Sequence, residues 1–569
     1  MTKKIFSILL IIVALATAPQ RVSAKDFTEA DNMLIDAVAL FNDNRYAEAS
    51  KILTRIISEY PEYDAAHYYL GVCHCLTGDM EKGEMYLREA CRLDPGNFWY
   101  QDNLASICAS TGHIEIAIEI HERLIKEYPK KTGLYYTLAN LYVRQGQYDK
   151  VLETFDNIEQ AVGDSEMLAI SRFQVLMRQD KQDEAYAALE RYNEKYTSPE
   201  VLATMGDFKL SQYEDSLALE FYNEALSYQP AFGQALIGRV EAYRISRKYP
   251  EFFKALDGYI AEPEVAQGSK TMYISQLLQH SDPRFRTNFR NELDSAVTRM
   301  YHCAPTDSTT ISTAAIYWYN TKRLPQAIKL FRENVALYPN SLSARAELLQ
   351  SLLTSEDWNS LAVEAENAYT ALPAINDFIR IKATALFELG EYASYIKEME
   401  RLIVSDPSDT AMVVSAYSGI GDVYHLIGET SKAYKAYDKA LKIKPRHAPI
   451  LNNYAYFLSM EGKKLRKAYE MSKITVEDEP DNATYIDTFA WILHLQGKDL
   501  EAKPLFKHAM LYGGKDSAVI MDHYAEVLYS LQEYDLAKVY WNLAKAKNTS
   551  GEIPDLDERV KERIDKISK

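Results

Sequence analysis

Apolar and small side chains return at fixed intervals along nearly the whole chain, and polar side chains fill the intervals. From Ala411 to Ala544 the order is a Leu-, Ile- or Tyr-like residue followed by Gly or Ala, then an aromatic or Leu, a Gly, an Ala, an aromatic and another Ala. Apolar residues spaced by three or four lie on one face of an α-helix, and the Gly marks the end of a stretch. The pattern predicts pairs of helices joined by short turns.

This order returns about every 34 residues. One copy contains Gly421, Gly428, Ala433 and Tyr437, and we number repeat positions so that Gly421 is position 8. Small residues at positions 8 and 20 let the two helices of a unit cross closely, and large residues fill the space beside the crossing. The prolines that follow the second helices show the interval in both halves of the chain, at Pro61, Pro95 and Pro129 and at Pro339, Pro373 and Pro407.

Eight positions that recur together in this way resemble the tetratricopeptide repeat (TPR), a 34-residue helix-turn-helix unit. The resemblance implies an all-α fold, a TPR solenoid or superhelix of about 14 repeats, because one unit cannot bury its apolar face without its neighbours. Such a solenoid grows in one dimension and needs no separate core for each domain.

The repeat pattern divides the chain into five segments. We predict a signal peptide at 1–24, an N-terminal TPR solenoid at 25–262, a helical joint at 263–307, a C-terminal TPR solenoid at 308–550 and a capping helix at 551–569. Prolines interrupt the joint, and its apolar spacing predicts two helices outside the repeat. An alternative is that the joint is a docking insert that uses Arg284, Arg286 and Arg290.

The first 24 residues have the features of a secretory leader. Lys3 and Lys4 precede an apolar run, and Val22-Ser23-Ala24 is a small-residue cleavage motif. We expect cleavage after Ala24 and a location in the periplasm or otherwise outside the cytoplasm, with an uncleaved anchor as the alternative. No Cys lies near the expected cleavage point, so there is no lipobox, and we expect no transmembrane segment in the mature chain.

Composition restricts the partner class. The chain has 81 acidic and 64 basic residues and a net charge of −17, which disfavours binding to nucleic acid or to an anionic lipid surface. We therefore expect protein or peptide partners.

Motifs for catalysis are missing from the sequence. It contains no G-x-S-x-G, H-E-x-x-H, Walker loop or C-x-x-C motif, so we expect no enzyme activity and no cofactor. Cys73 and Cys108 fall near small packing positions, which favours buried thiols. The alternative is a disulfide between Cys91 and Cys108 in adjacent repeats, and the sequence does not decide between the two.

The first helices of the last four repeats carry polar and aromatic residues on one face. In TPR solenoids the first helix of each unit lines the concave surface, which implies that positions 5, 6, 9 and 12 face a binding groove. One alternative is that these are merely solvated helix faces. A shared metal ion is another for the histidines, but His425 and His494 lie two repeats apart, and packed helices are about 8 to 10 Å apart. The candidate partner-binding residues are Asp422, His425, Asn452, Asn453, Tyr456, Asp487, Trp491, His494, Asp522, His523, Glu526 and Tyr529.

Residues 410–550 resemble the repeats of large bacterial envelope TPR proteins. Asn453-Tyr454-Ala455-Tyr456-Phe457-Leu458 and Asp487-Thr488-Phe489-Ala490-Trp491-Ile492-Leu493 carry the likeness. Some of these relatives are adaptors of carboxyl-terminal processing proteases, while the leader and Asp282-Pro283-Arg284-Phe285 are similar to exported repeat proteins of the Bacteroidetes. The resemblance implies a periplasmic scaffold or adaptor whose partner is an envelope protease or an outer-membrane assembly component. The alternative is an envelope assembly factor or chaperone for outer-membrane or secreted clients.

Overall fold

A computed structural model describes residues 28–462, 464–549 and 551–567, which form thirty-two α-helices joined by short turns and one 3-10 turn. The predicted signal peptide and its cleavage point lie outside the described residues. By contacts the chain divides into two compact units, one ending at Ala266 and one starting at Gln267. None of the described helices is long and apolar enough to span a membrane.

The first unit consists of seven helix pairs over its described residues, in agreement with the TPR period. The helices are α1 Thr28–Asn42, α2 Tyr46–Glu59, α3 Asp64–Leu76, α4 Met80–Leu93, α5 Phe98–Thr111, α6 Ile114–Glu127, α7 Thr132–Arg144, α8 Tyr148–Val162, α9 Glu166–Arg178, α10 Gln182–Asn193, α11 Pro199–Ser211, α12 Asp215–Tyr228, α13 Gly233–Ile245 and α14 Tyr249–Ala261.

The second unit has three helices, then seven further pairs and a final helix within its described part. The helices are α15 Gln267–His280, α16 Pro283–Asn288, α17 Arg290–Cys303, α18 Ser308–Asn320, α19 Leu324–Leu337, α20 Leu342–Thr354, α21 Trp358–Ala371, α22 Asp377–Glu388, α23 Tyr392–Ser405, α24 Thr410–Leu426, α25 Thr430–Ile443, α26 Ala448–Met460, α27 Leu465–Asp478, α28 Ala483–Leu495, α29 Asp499–Leu511, α30 Ala518–Ser530, α31 Tyr534–Lys547 and α32 Leu556–Ile567, with the 3-10 turn at Gly514–Asp516.

The segment between the repeats differs from the sequence-based expectation of two helices, because it contains three. The Asp282 side chain accepts a hydrogen bond from the Arg284 N–H, and Pro283 occupies the first turn, so a separate six-residue helix begins there. Phe289 leaves helical geometry and is the boundary between α16 and α17. By contacts these helices belong to the second unit.

The close crossing within a repeat is seen at Gly421 in α24. A Cβ added to Gly421 would lie 2.4 Å from Cε1 of Tyr437 in α25, and Tyr437 is fully buried. Gly206 meets Tyr222 in the same way, at 2.6 Å. The two units therefore use the same pairing of a small residue with a large aromatic ring.

The turn after each first helix needs a residue in the left-handed region. Gly428 and Gly497 supply it with φ of 81° and 76°. Other repeats place a residue with a side chain in this conformation, and Lys322 is one, with φ of 64°. For a residue other than glycine, this backbone geometry is unfavourable by about 1 kcal/mol or more.

Candidate partner-binding surface

The twelve candidate residues lie on α24, α26, α28 and α30, the first helices of the last four repeats. We call this set of residues the polar band. None of the twelve is strongly exposed, because each packs beside the neighbouring repeat. Five are buried: Asn452, Asp487, Asp522, His523 and Glu526. Seven are partly buried: Asp422, His425, Asn453, Tyr456, Trp491, His494 and Tyr529.

Hydrogen bonds join the polar band across adjacent helices. Asn453 in α26 donates to Asp422 in α24 over 3.2 Å, and the Tyr437 hydroxyl donates to the same carboxylate over 2.6 Å. Burial and the charge of Asp422 raise the pKa of Tyr437. Asp422 thus accepts one hydrogen bond from the next repeat, through Asn453, and one from the core of its own repeat, through Tyr437.

His523 and Asp487 form a buried pair between α30 and α28. The Nδ1 atom of His523 lies 2.9 Å from Oδ1 of Asp487, and the indole of Trp491 stacks on the imidazole with ring centroids 4.0 Å apart. Burial opposes the charged imidazolium, but the Asp487 carboxylate outweighs burial and raises the pKa of His523. Trp491 therefore covers a buried charge pair on one side.

The C-terminal helix α32 covers the last part of the polar band, where we had expected an open groove. Arg559 binds Asp522 at 2.5 Å and Glu526 at 2.6 Å, and Arg563 binds Glu526 at 3.0 Å. The Arg563 guanidinium also lies 4.8 Å from the centre of the Tyr529 ring. These three band residues contact the chain's own terminus instead of solvent, because the charged face of α32 complements them.

The same terminal segment comes near α26. Burial raises the pKa of Tyr456, and the charges of Asp487 and Glu552 raise it further. The sequence predicted a capping helix at 551–569 but not its contacts with the band, because repeat spacing does not state which side chains a cap covers. The signal was present in the spacing, since Arg559 follows Glu526 by about one repeat length.

The histidines of the band have separate surroundings. His425 stacks on Phe457 with ring centroids 3.4 Å apart, and burial lowers the pKa of His425. His494 contacts Asp499 and Trp491 instead. In the described part of the chain, no group of three or more His, Cys, Asp or Glu side chains is placed to hold a metal ion. Cys91 and Cys108 are both free thiols.

Three buried polar atoms of the band have no hydrogen-bond partner among the described residues. They are Oδ1 of Asn452 in α26, Nε1 of Trp491 in α28 and Oδ1 of Asp522 in α30. A buried donor or acceptor without a partner costs about 1 to 3 kcal/mol. The three atoms lie on successive first helices and are closed off from solvent.

Comparison with known proteins identifies the repeat. Sequence profiles described as Tetratricopeptide repeat match residues 37–98 and 414–447. The chain contains tetratricopeptide repeats. Together with the paired helices, these matches confirm the predicted all-α TPR solenoid, an architecture that forms extended surfaces for binding proteins.

Two sequence relatives share part of this TPR chain. The BBSome complex member BBS4 of Bos taurus is 24% identical over 244 residues, which cover 36% of this chain and 46% of that protein. The TPR repeat-containing protein MJ1428 of Methanocaldococcus jannaschii is 20% identical over 315 residues, which cover 55% of this chain and 44% of that protein. The chain spans less than half the length of either relative.

Two solved structures are similar along most of the TPR chain. Naa15/Naa10 bound to HypK-THB has 14% identity and a TM-score of 0.34, with 95% of this chain and 97% of that chain covered. The APC/C hetero-tetramer Cut9-Hcn1 has 13% identity and a TM-score of 0.30, with 93% of this chain and 92% of that chain covered.

Proposed function

We propose that the protein is an exported, non-catalytic scaffold or adaptor of a bacterial periplasm, which holds a protein or peptide partner along the polar band. The TPR architecture supports the partner class, since stacked repeats form long surfaces for proteins. The apolar run and cleavage motif before residue 25 support export. The likeness to envelope adaptors supports a processing protease or an outer-membrane assembly component as the partner.

The observation that carries this proposal is the row of aromatic and amide groups on successive first helices. Tyr456 and Trp491 occupy position 9 of adjacent repeats and are both partly buried. Aromatic side chains bordered by polar groups are typical binding hot spots.

A second candidate is a chaperone or assembly factor that holds unfolded envelope clients. The first helices of three consecutive repeats end in exposed apolar side chains, with Leu426 57%, Met460 60% and Leu495 38% exposed. Such a stripe suits apolar segments of many sequences, whereas the polar band suits one partner. The two candidates predict different numbers of bound proteins.

Site-specific photocrosslinking in the native organism distinguishes them. A benzophenone amino acid in place of Tyr456 is expected to capture one partner of defined mass if the protein is an adaptor, and a ladder of masses if it is a chaperone. The matched control replaces the exposed Lys473 in the second helix α27, where we expect no adduct. Equal crosslinking at both positions, or none at Tyr456, would contradict the role of the band.

Affinity for the captured partner is then measured with Tyr456→Ala, which should remove about 2 kcal/mol of binding free energy, as for hot-spot aromatics. Trp491→Ala is a poorer probe because the indole covers the buried His523, so its loss should also lower stability. Mass spectrometry of the secreted chain tests export separately. The expected mature protein begins at Lys25, and an intact or lipid-bearing start would contradict it.

A further inference from the structure

A cavity of about 590 Å³ lies between α15, α16 and α18 in the second unit. Its lining residues include the apolar Leu278 and Ile316 and the hydroxyl-bearing Thr287 and Thr313. This volume falls in the range of roughly 300 to 1,000 Å³ that small-molecule sites occupy. The helices that form it differ from those of the polar band.

The cavity is cationic although the protein is strongly acidic. Arg286, Arg290 and Lys322 line it, and among the described residues no Asp or Glu lines it. Arg286 donates one hydrogen bond to the Leu278 carbonyl over 2.8 Å. None of the three cations forms an ion pair with an acidic side chain in the described part of the chain. Three positive charges therefore line one space that has no acidic residue in its described lining, and Asp294 beside it interacts with one of them, Arg290.

The carboxylate beside the cavity is already engaged. Asp294 accepts two hydrogen bonds from Arg323, both at 2.7 Å, and one from the Tyr317 hydroxyl at 2.6 Å. Burial raises the pKa of Asp294, but the bonds from Arg323 and Tyr317 outweigh burial and lower it. Asp294 thus stays charged and forms its direct ion pair with Arg323, while its charge also acts on Arg290; Arg286 and Lys322 have no acidic partner of this kind within the described residues.

Lys322 is the third cation that lines the cavity. It occupies the left-handed turn position with φ of 64°, which Gly fills in some repeats and residues with side chains, such as Arg247 and Glu356, fill in others. Lysine is strained there by about 1 kcal/mol or more relative to glycine. The exposed Lys322 side chain adds a third charge to the cavity at this cost to the fold.

We propose that this cavity binds a small organic anion with at least two negative charges, carried by carboxylate or phosphoryl groups. Guanidinium groups form paired hydrogen bonds with both kinds of oxyanion. The Thr313 hydroxyl is a further donor, whereas that of Thr287 already donates to the Pro283 carbonyl. Leu278 and Ile316 contact the carbon part of the ligand. A multiply charged ligand balances the three cations better than a single carboxylate.

Isothermal titration of the full chain tests the proposal with three probes: citrate, inorganic phosphate and a hexapeptide of alternating Asp and Leu. We expect citrate or phosphate to bind one to one at concentrations up to about 10 mM. Arg286→Gln/Arg290→Gln should weaken that binding about tenfold or more, because charge-assisted hydrogen bonds are lost. The matched control is Lys329→Gln, an exposed lysine on α19, which should bind like the parent.

Lys322→Gly separates a binding role from a structural role. Glycine adopts the left-handed turn without strain, so this variant should melt at a higher temperature than the parent while it binds the anion several-fold more weakly. Citrate binding supports a carboxylate ligand and phosphate binding a phosphoryl ligand. The proposal is overturned if neither small anion binds, if only the peptide binds, or if the double arginine variant binds as tightly as Lys329→Gln.

Discussion

Gly421 offers the most direct residue-level test of the packing. An added Cβ would lie 2.4 Å from the Tyr437 ring, and that ring is fully buried and cannot move aside without disturbing its neighbours. We expect Gly421→Ala to lower the free energy of unfolding by about 1 to 3 kcal/mol, as overpacking of a core does. Urea denaturation followed by circular dichroism measures the change.

Gly258 is the matched control. It also lies inside a helix, α14, but a Cβ added there meets no heavy atom within 4 Å. Gly258→Ala should leave stability unchanged or raise it by about 0.5 to 1 kcal/mol through backbone entropy. If the two variants behaved alike, the assignment of Gly421 to the helix crossing would be wrong.

His523 makes the stability of the second unit depend on pH. The charges that face it are Asp487 on α28, Asp522 on its own helix and Arg559 on α32, and the carboxylates raise its pKa. Because the pKa of His523 is raised on folding, the protonated histidine stabilises the folded state. This contribution is complete at pH values below the unfolded pKa of about 6.5, and it is lost as the pH rises through the folded pKa.

The comparison of the parent with His523→Gln isolates this contribution. The melting temperature of the variant should be lower near pH 5.5, and the gap to the parent should narrow as the pH is raised towards 9. Other titrating groups are common to both proteins and cancel in the difference. A gap that does not change with pH would show that His523 keeps one charge state on folding.

At the residue scale, the sequence predicted small packing positions better than polar contacts. The packing role of Gly421 could be predicted from its position in the repeat alone, because the close crossing of two helices requires a small side chain there. The burial of Asp487 and His523 depends on what covers them, and the cover comes from the next helix and from the chain terminus. Repeat spacing assigns a face to a residue, but it does not state which neighbour occupies that face.

At the element scale, α32 is held to the last repeat by charge. Arg559→Ala leaves the buried carboxylates of Asp522 and Glu526 without this partner, although Arg563 still binds Glu526. We expect a loss of about 2 kcal/mol or more, less than for a fully buried pair because the arginine is partly exposed. Hydrogen exchange should show α32 opening before the repeats.

The control for Arg559→Ala is an ion pair between an arginine and a carboxylate on the protein surface. Arg446 binds Asp478 where both side chains are exposed to water to a large extent. Arg446→Ala should cost about 0 to 1 kcal/mol. Equal losses for the two arginines would indicate that α32 is held by its apolar face alone.

The elements themselves were predicted well where the repeat rules apply. The seven pairs in each described unit follow from the spacing of small residues and prolines. The region around Pro283 was harder, because an aspartate cap followed by proline starts a new helix within a stretch that has one continuous apolar period. The turn at Lys322 was also hard to predict, because a lysine in the sequence does not indicate a left-handed backbone conformation.

For the whole molecule, we expect unfolding in more than one step. Each repeat contacts mainly its neighbours, and contacts divide the chain into two units. Scanning calorimetry should therefore give a calorimetric enthalpy larger than the van't Hoff enthalpy. Gly421→Ala should shift only the part of the transition that belongs to the second unit. A single transition with equal enthalpies would contradict this expectation.

The fold class was predictable at this scale because one unit repeated many times leaves few alternatives. The partner was not, because binding depends on which faces remain accessible after the chain has folded on itself. The cationic cavity illustrates the point: Arg286 and Arg290 are visible in the sequence, but Lys322 joins them only through the packing of α15, α16 and α18.

The terminal helix has a consequence for the association state of the protein. Leu556 and Val560 pack into the buried cluster that contains Trp541. A chain shortened to end at residue 547 would present that apolar surface to solvent, and a second shortened chain offers the same surface in return. Light scattering after size exclusion should then show a dimer whose fraction rises with concentration, and α32 in the longer chain prevents this pairing because it covers the surface.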